Sequence, residues 1–123
     1  MTVCAYYAPA GLSELLDWMA QQTGKTVILA GGTDVLVEMR DPAHRPESIV
    51  ALYKVPELKG IRSQGDLITI GAMTTFTELA ESPLIREKAF VLAQAANAVG
   101  SPQVRNRGTV GGNIVNASPA ADT

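Results

Sequence analysis

The sequence predicts a mixed α and β fold in which helices and strands do not alternate as a repeating βαβ series. Three patterns carry that reading. Leu12, Leu15, Leu16 and Met19 recur at the i, i+3, i+4, i+7 spacing of an amphipathic helix. Thr26–Ala30 and Ser48–Leu52 are short apolar runs with β-branched residues, as buried strands require. Glu87–Val99 is Ala-rich and helix-prone. At 123 residues, 46% hydrophobic and 18% charged, the chain is too apolar for disorder. It has room for one compact domain, or is a piece of a larger one.

The elements follow in order. A helix is expected over Gly11–Thr23, with Gly24 in the left-handed position that closes it. The strand Thr26–Ala30 runs into Gly31-Gly32. Val35-Leu36-Val37 reads as a second short strand, because no helix start precedes it. The polar stretch Arg40–Pro46 leads to the strand Ser48–Leu52. Tyr53–Leu58 reads as a helical turn that exits at Gly60, and a subdomain break falls near Leu58–Gly60. Ile61–Arg62 and Leu67–Gly71 pair as strands, with hairpin chemistry in Gln64-Gly65-Asp66. Thr75 followed by Glu78 forms a capping box. Ser82-Pro83 restarts a helix, with Ser as cap and Pro at the first helical position. The helix over Glu87–Val99 offers Phe90 and Leu92 to a core and ends at Gly100-Ser101-Pro102. Gln103–Gly108 reads as a polar loop. The glycines of Thr109–Asn113 lie between apolar residues, which suggests strand with a bulge or a close ligand approach. Tyr6, Tyr7 and Trp18 read as core or interface residues.

Charge and composition exclude several functions. Ten Lys and Arg stand against twelve Asp and Glu, so no basic face for nucleic acid is expected. No apolar run approaches the ~18 residues of a bilayer span. The N-terminus lacks the basic and apolar regions of a signal peptide, so a reducing, cytoplasmic setting is expected. One cysteine, Cys4, and one histidine, His44, leave little material for zinc, an iron–sulfur cluster or a catalytic triad. His44 reads as a surface residue.

Two glycine motifs could carry chemistry. Ala30-Gly31-Gly32-Thr33-Asp34 follows a strand, and successive N–H groups there could form an anion nest with the Thr33 hydroxyl beside it. A pyrophosphate suits such a loop; the alternative is a plain Gly-Gly turn. The motif is neither a Rossmann G-x-G-x-x-G nor a Walker loop. In Thr109-Val110-Gly111-Gly112-Asn113, Asn113 brings a donor and an acceptor that suit a nucleobase or isoalloxazine edge. The alternative there is a bulge with a capping Asn. Arg105 and Arg107 offer phosphate contacts or structural ion pairs. Asp122 could accept a hydrogen bond from a ligand or simply be exposed.

The run Gly100-Ser101-Pro102-Gln103-Val104-Arg105-Asn106-Arg107-Gly108-Thr109-Val110-Gly111-Gly112-Asn113-Ile114, with Ala30-Gly31-Gly32-Thr33-Asp34-Val35-Leu36 upstream, closely resembles the FAD-binding subunit of the molybdenum hydroxylases, the xanthine dehydrogenase family. Gly71-Ala72-Met73-Thr74-Thr75 and Ala117-Ser118-Pro119-Ala120-Ala121-Asp122 match its pattern too. The resemblance implies an α+β fold of the vanillyl-alcohol oxidase and MurB (PCMH) type, with FAD between two subdomains. Residues 1–58 would be the first subdomain, and 59–123 the opening part of a second that appears truncated. It also implies roles by position. Ile28, Leu29, Ala30, Gly31, Gly32, Thr33, Asp34 and Val35 would cradle the pyrophosphate and its ribityl or ribose neighbours. Thr109, Gly111, Gly112 and Asn113 would contact the phosphates and the flavin side. Val99 and Gly100 would place backbone near FAD, and Asp122 would bond the cofactor. The implied partners are a molybdopterin-binding large subunit and a [2Fe–2S] small subunit. Electrons from them would pass through FAD to NAD or another acceptor. No side chain of the chain would then be catalytic, and it would hold no metal. A stand-alone flavin oxidoreductase and a non-catalytic interaction domain are the alternatives.

Overall fold

The computed structural model describes residues 4–119. The first half contains β1 (Ala5–Tyr7), α1 (Leu12–Ala20), β2 (Thr26–Leu29), the single turn α2 (Val35–Glu38) and β3 (Ser48–Ala51). The strands form a parallel sheet in the order β1-β3-β2. Val50 at its centre stands opposite Tyr7 on one side and Ile28 on the other. Parallel neighbours need long crossovers. One passes through α1; the other runs through α2 and a short 3-10 turn at Pro42–His44.

The strand over Thr26–Ala30 forms as expected, but as an edge. Ile28 is 47% exposed, while the middle strand β3 carries the burial. Strand β1 escapes the sequence reading because three residues, two of them exposed, show no period. Val35-Leu36-Val37 is helix rather than strand. The Gly32 carbonyl accepts from the Leu36 N–H, and Gly32 turns the chain at φ +80°. Helix α1 ends at the Gln21 cap, and Gly24 does not adopt a left-handed conformation. Its missing Cβ makes room for the Glu47 carboxylate.

The second half begins with the antiparallel hairpin of β4 (Ile61–Gln64) and β5 (Leu67–Ile70), turned by Gly65-Asp66 with Gly65 at φ +60°. Five helices follow: α3 (Phe76–Glu81), α4 (Pro83–Lys88), α5 (Phe90–Ala98), α6 (Pro102–Arg107) and α7 (Val110–Asn116). The Thr75–Glu78 capping box and the Ser82 cap with Pro83 both form. The helix expected over Glu87–Val99 breaks at Ala89, so α5 begins at Phe90. Phe90 is 54% exposed, and α5 turns Ala93 and Ala96 inward instead.

Two further corrections concern the C-terminal motif. Gln103–Gly108 is not a loop: Ser101 caps α6 through the Val104 N–H, with Pro102 at its first position. The Gly111-Gly112 segment is not strand. It is the first turn of α7, capped by Thr109 through the Gly112 N–H. Polarity and glycine argue for loop and bulge, but a Ser/Thr cap directly before each segment outweighs them.

Two apolar clusters hold the chain. Leu15, Val50 and Val55 form one, with Tyr7 and Trp18 stacked at its edge at 5.3 Å between ring centres. Phe76, Leu79, Ile85, Ala93 and Ala96 form the other. The chain crosses between them at residues 58–60. There the Leu58 carbonyl accepts from the Met73 N–H at 2.8 Å, and the Gly60 carbonyl from the Gly71 N–H at 2.8 Å.

Candidate functional site

The two glycine motifs, some 80 residues apart in sequence, meet in space. A Cβ added at Gly31 would lie 2.7 Å from the Arg107 carbonyl carbon and 3.2 Å from the Gly108 Cα. Ala30 faces Gly112 at 3.9 Å in the same construction. The contact brings the end of β2 against the α6–α7 junction. Around it, the Phe76 N–H donates to the Gly108 carbonyl (3.1 Å), and Thr75 bridges Thr109.

A cleft of about 460 Å³ opens at this junction. Tyr6, Leu29, Ala30, Gly31, Ala51 and Tyr53 form one wall. Lys59, Met73, Thr75, Glu78, Asn106, Arg107 and Thr109 form the other. Leu29 and Ala51 end their strands, so the cleft lies at the carboxyl edge of the parallel sheet. Sheets of this kind bind ligands at that edge, because the chain leaves it in loops with unpaired backbone groups.

The two motifs offer different chemistry. In the first, the N–H groups of residues 31–35 donate to no acceptor among the described residues. Five consecutive donors follow a strand whose ladder has just ended, and Gly32 supplies the positive φ that turns them. In the second motif the donors are already spent. The Val110 N–H donates to the Thr74 carbonyl (3.0 Å) and that of Gly111 to Ala72 (2.9 Å). The N–H of Gly112 goes to the Thr109 hydroxyl (3.1 Å), and that of Asn113 to the Thr109 carbonyl (3.0 Å). Gly111 is glycine for a packing reason, since a Cβ there would meet the Ala72 Cβ and carbonyl at 2.8 Å.

Of the residues expected at a site, Leu29, Ala30, Gly31 and Thr109 line the cleft. Ile28, Gly32, Thr33, Asp34 and Val35 continue from that wall along the backbone, and Gly111, Gly112 and Asn113 from Thr109. Val99 and Gly100 end α5, where their carbonyls accept from the Arg105 guanidinium at 3.1 and 3.3 Å. Asp122 lies outside the described residues. His44 is exposed beside Asp41 at 3.3 Å, away from the cleft lining. Asn106 and Arg107, from the stretch that offered phosphate contacts, also line the cleft, whereas Tyr6, Tyr53, Lys59, Met73 and Glu78 were not legible as site residues. They come from five separate elements or loops, and no local motif joins them.

No group of three or more His, Cys, Asp or Glu able to hold a metal occurs among the described residues. Among the described residues, the titratable groups with shifted pKa values, Tyr7 and Glu14, are partners of each other and do not line the cleft.

Residues 2–123 match the family described as the FAD binding domain in molybdopterin dehydrogenase. The chain belongs to that family. It is 38% identical over 117 residues to the carbon monoxide dehydrogenase medium chain of Hydrogenophaga pseudoflava, covering 95% of this chain and 41% of that one. It is 40% identical over 118 residues to the nicotinate dehydrogenase FAD-subunit of Eubacterium barkeri, covering 95% of this chain and 40% of the relative. Among solved structures, carbon monoxide dehydrogenase from H. pseudoflava superposes with a TM-score of 0.90 at 38% identity, over 94% of this chain and 40% of that one. Quinoline 2-oxidoreductase from Pseudomonas putida 86 gives 0.89 at 30% identity, again over 94% and 40%. The α+β, PCMH-type fold implied by the motifs is thereby established. The chain spans about 40% of the length of these relatives.

Proposed function

We propose that this chain is the N-terminal part of the FAD-binding subunit of a molybdenum hydroxylase, divided near residues 58–60 into a first subdomain and the opening of a second. The observation that carries the reading is the run of five N–H donors at residues 31–35 with no acceptor among the described residues, beside a cleft at the carboxyl edge of the sheet. These residues fit a dinucleotide: backbone donors suit the diphosphate oxygens, and glycine removes the side chain where the diphosphate approaches. FAD, when bound, supplies the redox chemistry that links a molybdenum and [2Fe–2S] partner to NAD or another acceptor.

The chain's own residues then bind and position. Gly31–Val35, with Ile28, Leu29 and Ala30 leading in, hold the diphosphate and adjoining hydroxyls. Helix α7 contributes shape, because its first N–H groups already donate to Thr74, Ala72 and Thr109. Gly112 and Asn113 lie on its first turn, opposite Ala30. Val99, Gly100 and Asp122 complete the set. No proton needs to be moved by a side chain in this reading; Glu78, the carboxylate of the lining among the described residues, is bonded to the Thr75 N–H at 2.9 Å.

Titrating purified protein with FAD tests the proposal. Quenching of flavin fluorescence and retained yellow colour after gel filtration are expected. A protein that stays colourless and leaves the fluorescence unchanged overturns it. Co-purification with molybdopterin and iron–sulfur subunits is the matching expectation for the partners.

A further inference from the structure

We propose that Lys59 and Arg107 form a cationic subsite in the cleft that takes the diphosphate of a nucleotide, and that this pair supplies the charge the backbone nest lacks. The inference rests on the flavin reading and extends it to two side chains outside the glycine motifs. Both residues line the cleft. Neither makes an ion pair with a described carboxylate; the ion pairs among the described residues are His44–Asp41 and Lys88–Glu87. Glu78, the acidic residue of the lining, is held by the Thr75 N–H at 2.9 Å and caps α3. Among the described residues the lining therefore carries two cations without an ion-pair partner against one committed anion.

Position ties the pair to the nest. The backbone of Arg107 abuts Gly31, where the run of N–H donors with no acceptor among the described residues begins. A diphosphate brings close to two negative charges, and N–H dipoles alone offset them incompletely. Arg suits the role, because its fork of donors matches phosphate oxygens. Lys59 follows Leu58, whose carbonyl is fixed by the Met73 N–H at 2.8 Å, so its stem is anchored at the cleft rim.

The test titrates the wild-type protein and the variants Lys59→Gln, Arg107→Gln and Arg107→Lys with FAD and, separately, with ADP. Thermal unfolding confirms that each variant is folded. Both residues are exposed, so each charge is expected to contribute about a fivefold change in Kd at low salt. Arg107→Gln and Lys59→Gln should each weaken FAD and ADP by that factor and flatten the salt dependence. Arg107→Lys should recover most of the loss. If wild type binds FAD and the Gln variants bind it equally well at low salt, the subsite is wrong and the flavin reading stands. If wild type binds ADP in a charge-dependent way but not FAD, the subsite stands and the flavin reading falls. Binding of neither ligand overturns both.

Discussion

At Gly31 a Cβ would drive into the Arg107 carbonyl, and the obstacle is backbone on both sides. No rotamer change relieves such a contact, so an alanine must push β2 away from the α6–α7 junction. Gly31→Ala should cost about 1–3 kcal/mol of stability, by the same logic as overpacking a core. The same shift misplaces the donors that follow, so flavin affinity should fall together with the thermal midpoint. Calorimetry and an FAD titration on one preparation check this; unchanged values for both would show that the junction yields freely. Gly32 is glycine for a different reason, its φ of +80°. The repeated glycines in the sequence meet at one junction, but packing and positive φ are separate causes that only the tertiary structure distinguishes.

Helix α1 shows how an element can lack its usual signals and still be fixed. Gly11 offers no side chain to cap it. Carboxylates supply the acceptors instead. Glu57, from the 3-10 turn at Pro56–Leu58, accepts from the Leu12 N–H at 2.6 Å. Glu14 accepts from the Ala10 N–H at 3.0 Å and from the Tyr7 hydroxyl, which pins α1 to β1. The Tyr7 hydroxyl, followed by the Ala10 N–H, holds the Glu14 carboxyl below the usual carboxylate range. Tyr7 is raised above the usual phenol value, chiefly by that same bond. A carboxylate with a depressed folded value stabilises above the unfolded value, and the contribution is lost as pH falls through the folded one. The tyrosine contribution is present below the unfolded phenol value and is lost as pH rises through the raised folded value. Glu14→Gln should therefore make unfolding less dependent on pH on the acid side, measured by midpoints across a pH series. An acid slope identical to wild type would show that the bond contributes nothing. The spacing of Leu12, Leu15, Leu16 and Met19 was enough to find this helix, but its long-range cap 45 residues away left no trace in the sequence pattern.

For the molecule as a whole, two apolar clusters meet across one cleft. Residues of the first fall within 7–58 and those of the second within 61–110. The cleft takes walls from both sides of that crossing. Leu79 is fully buried in the second cluster, and Leu79→Ala should cost about 2–5 kcal/mol through lost burial and the cavity left behind. That cluster joins α3, α4 and α5 and packs against Val110 of α7, so the variant should lose flavin binding at temperatures where wild type retains it. Excess FAD should restore part of the lost midpoint, since a ligand bound only to the folded state stabilises it by mass action. Absence of any FAD-dependent shift in both proteins would separate the cleft from the flavin.

The sequence by itself determined the fold class, most helices and strands, and the two glycine motifs that carry the family resemblance. Those features rest on local causes: apolar spacing for α1, β-branched runs for β2 and β3, a capping box for α3, Ser-Pro for α4. It misassigned Val35–Val37, Gln103–Gly108 and Thr109–Asn113, where composition suggests strand or loop while a cap or a preceding turn makes helix. Only the tertiary structure decided that the two glycine motifs touch through Gly31 and the Arg107–Gly108 backbone. Only it assigned the donors, free at residues 31–35 among the described residues and consumed in α7. It alone set Lys59, Arg107, Tyr6 and Tyr53 around one cleft. The physical reason is range: periodicity and caps act within a few residues, whereas a cleft is built from chain segments that meet only after both clusters have packed.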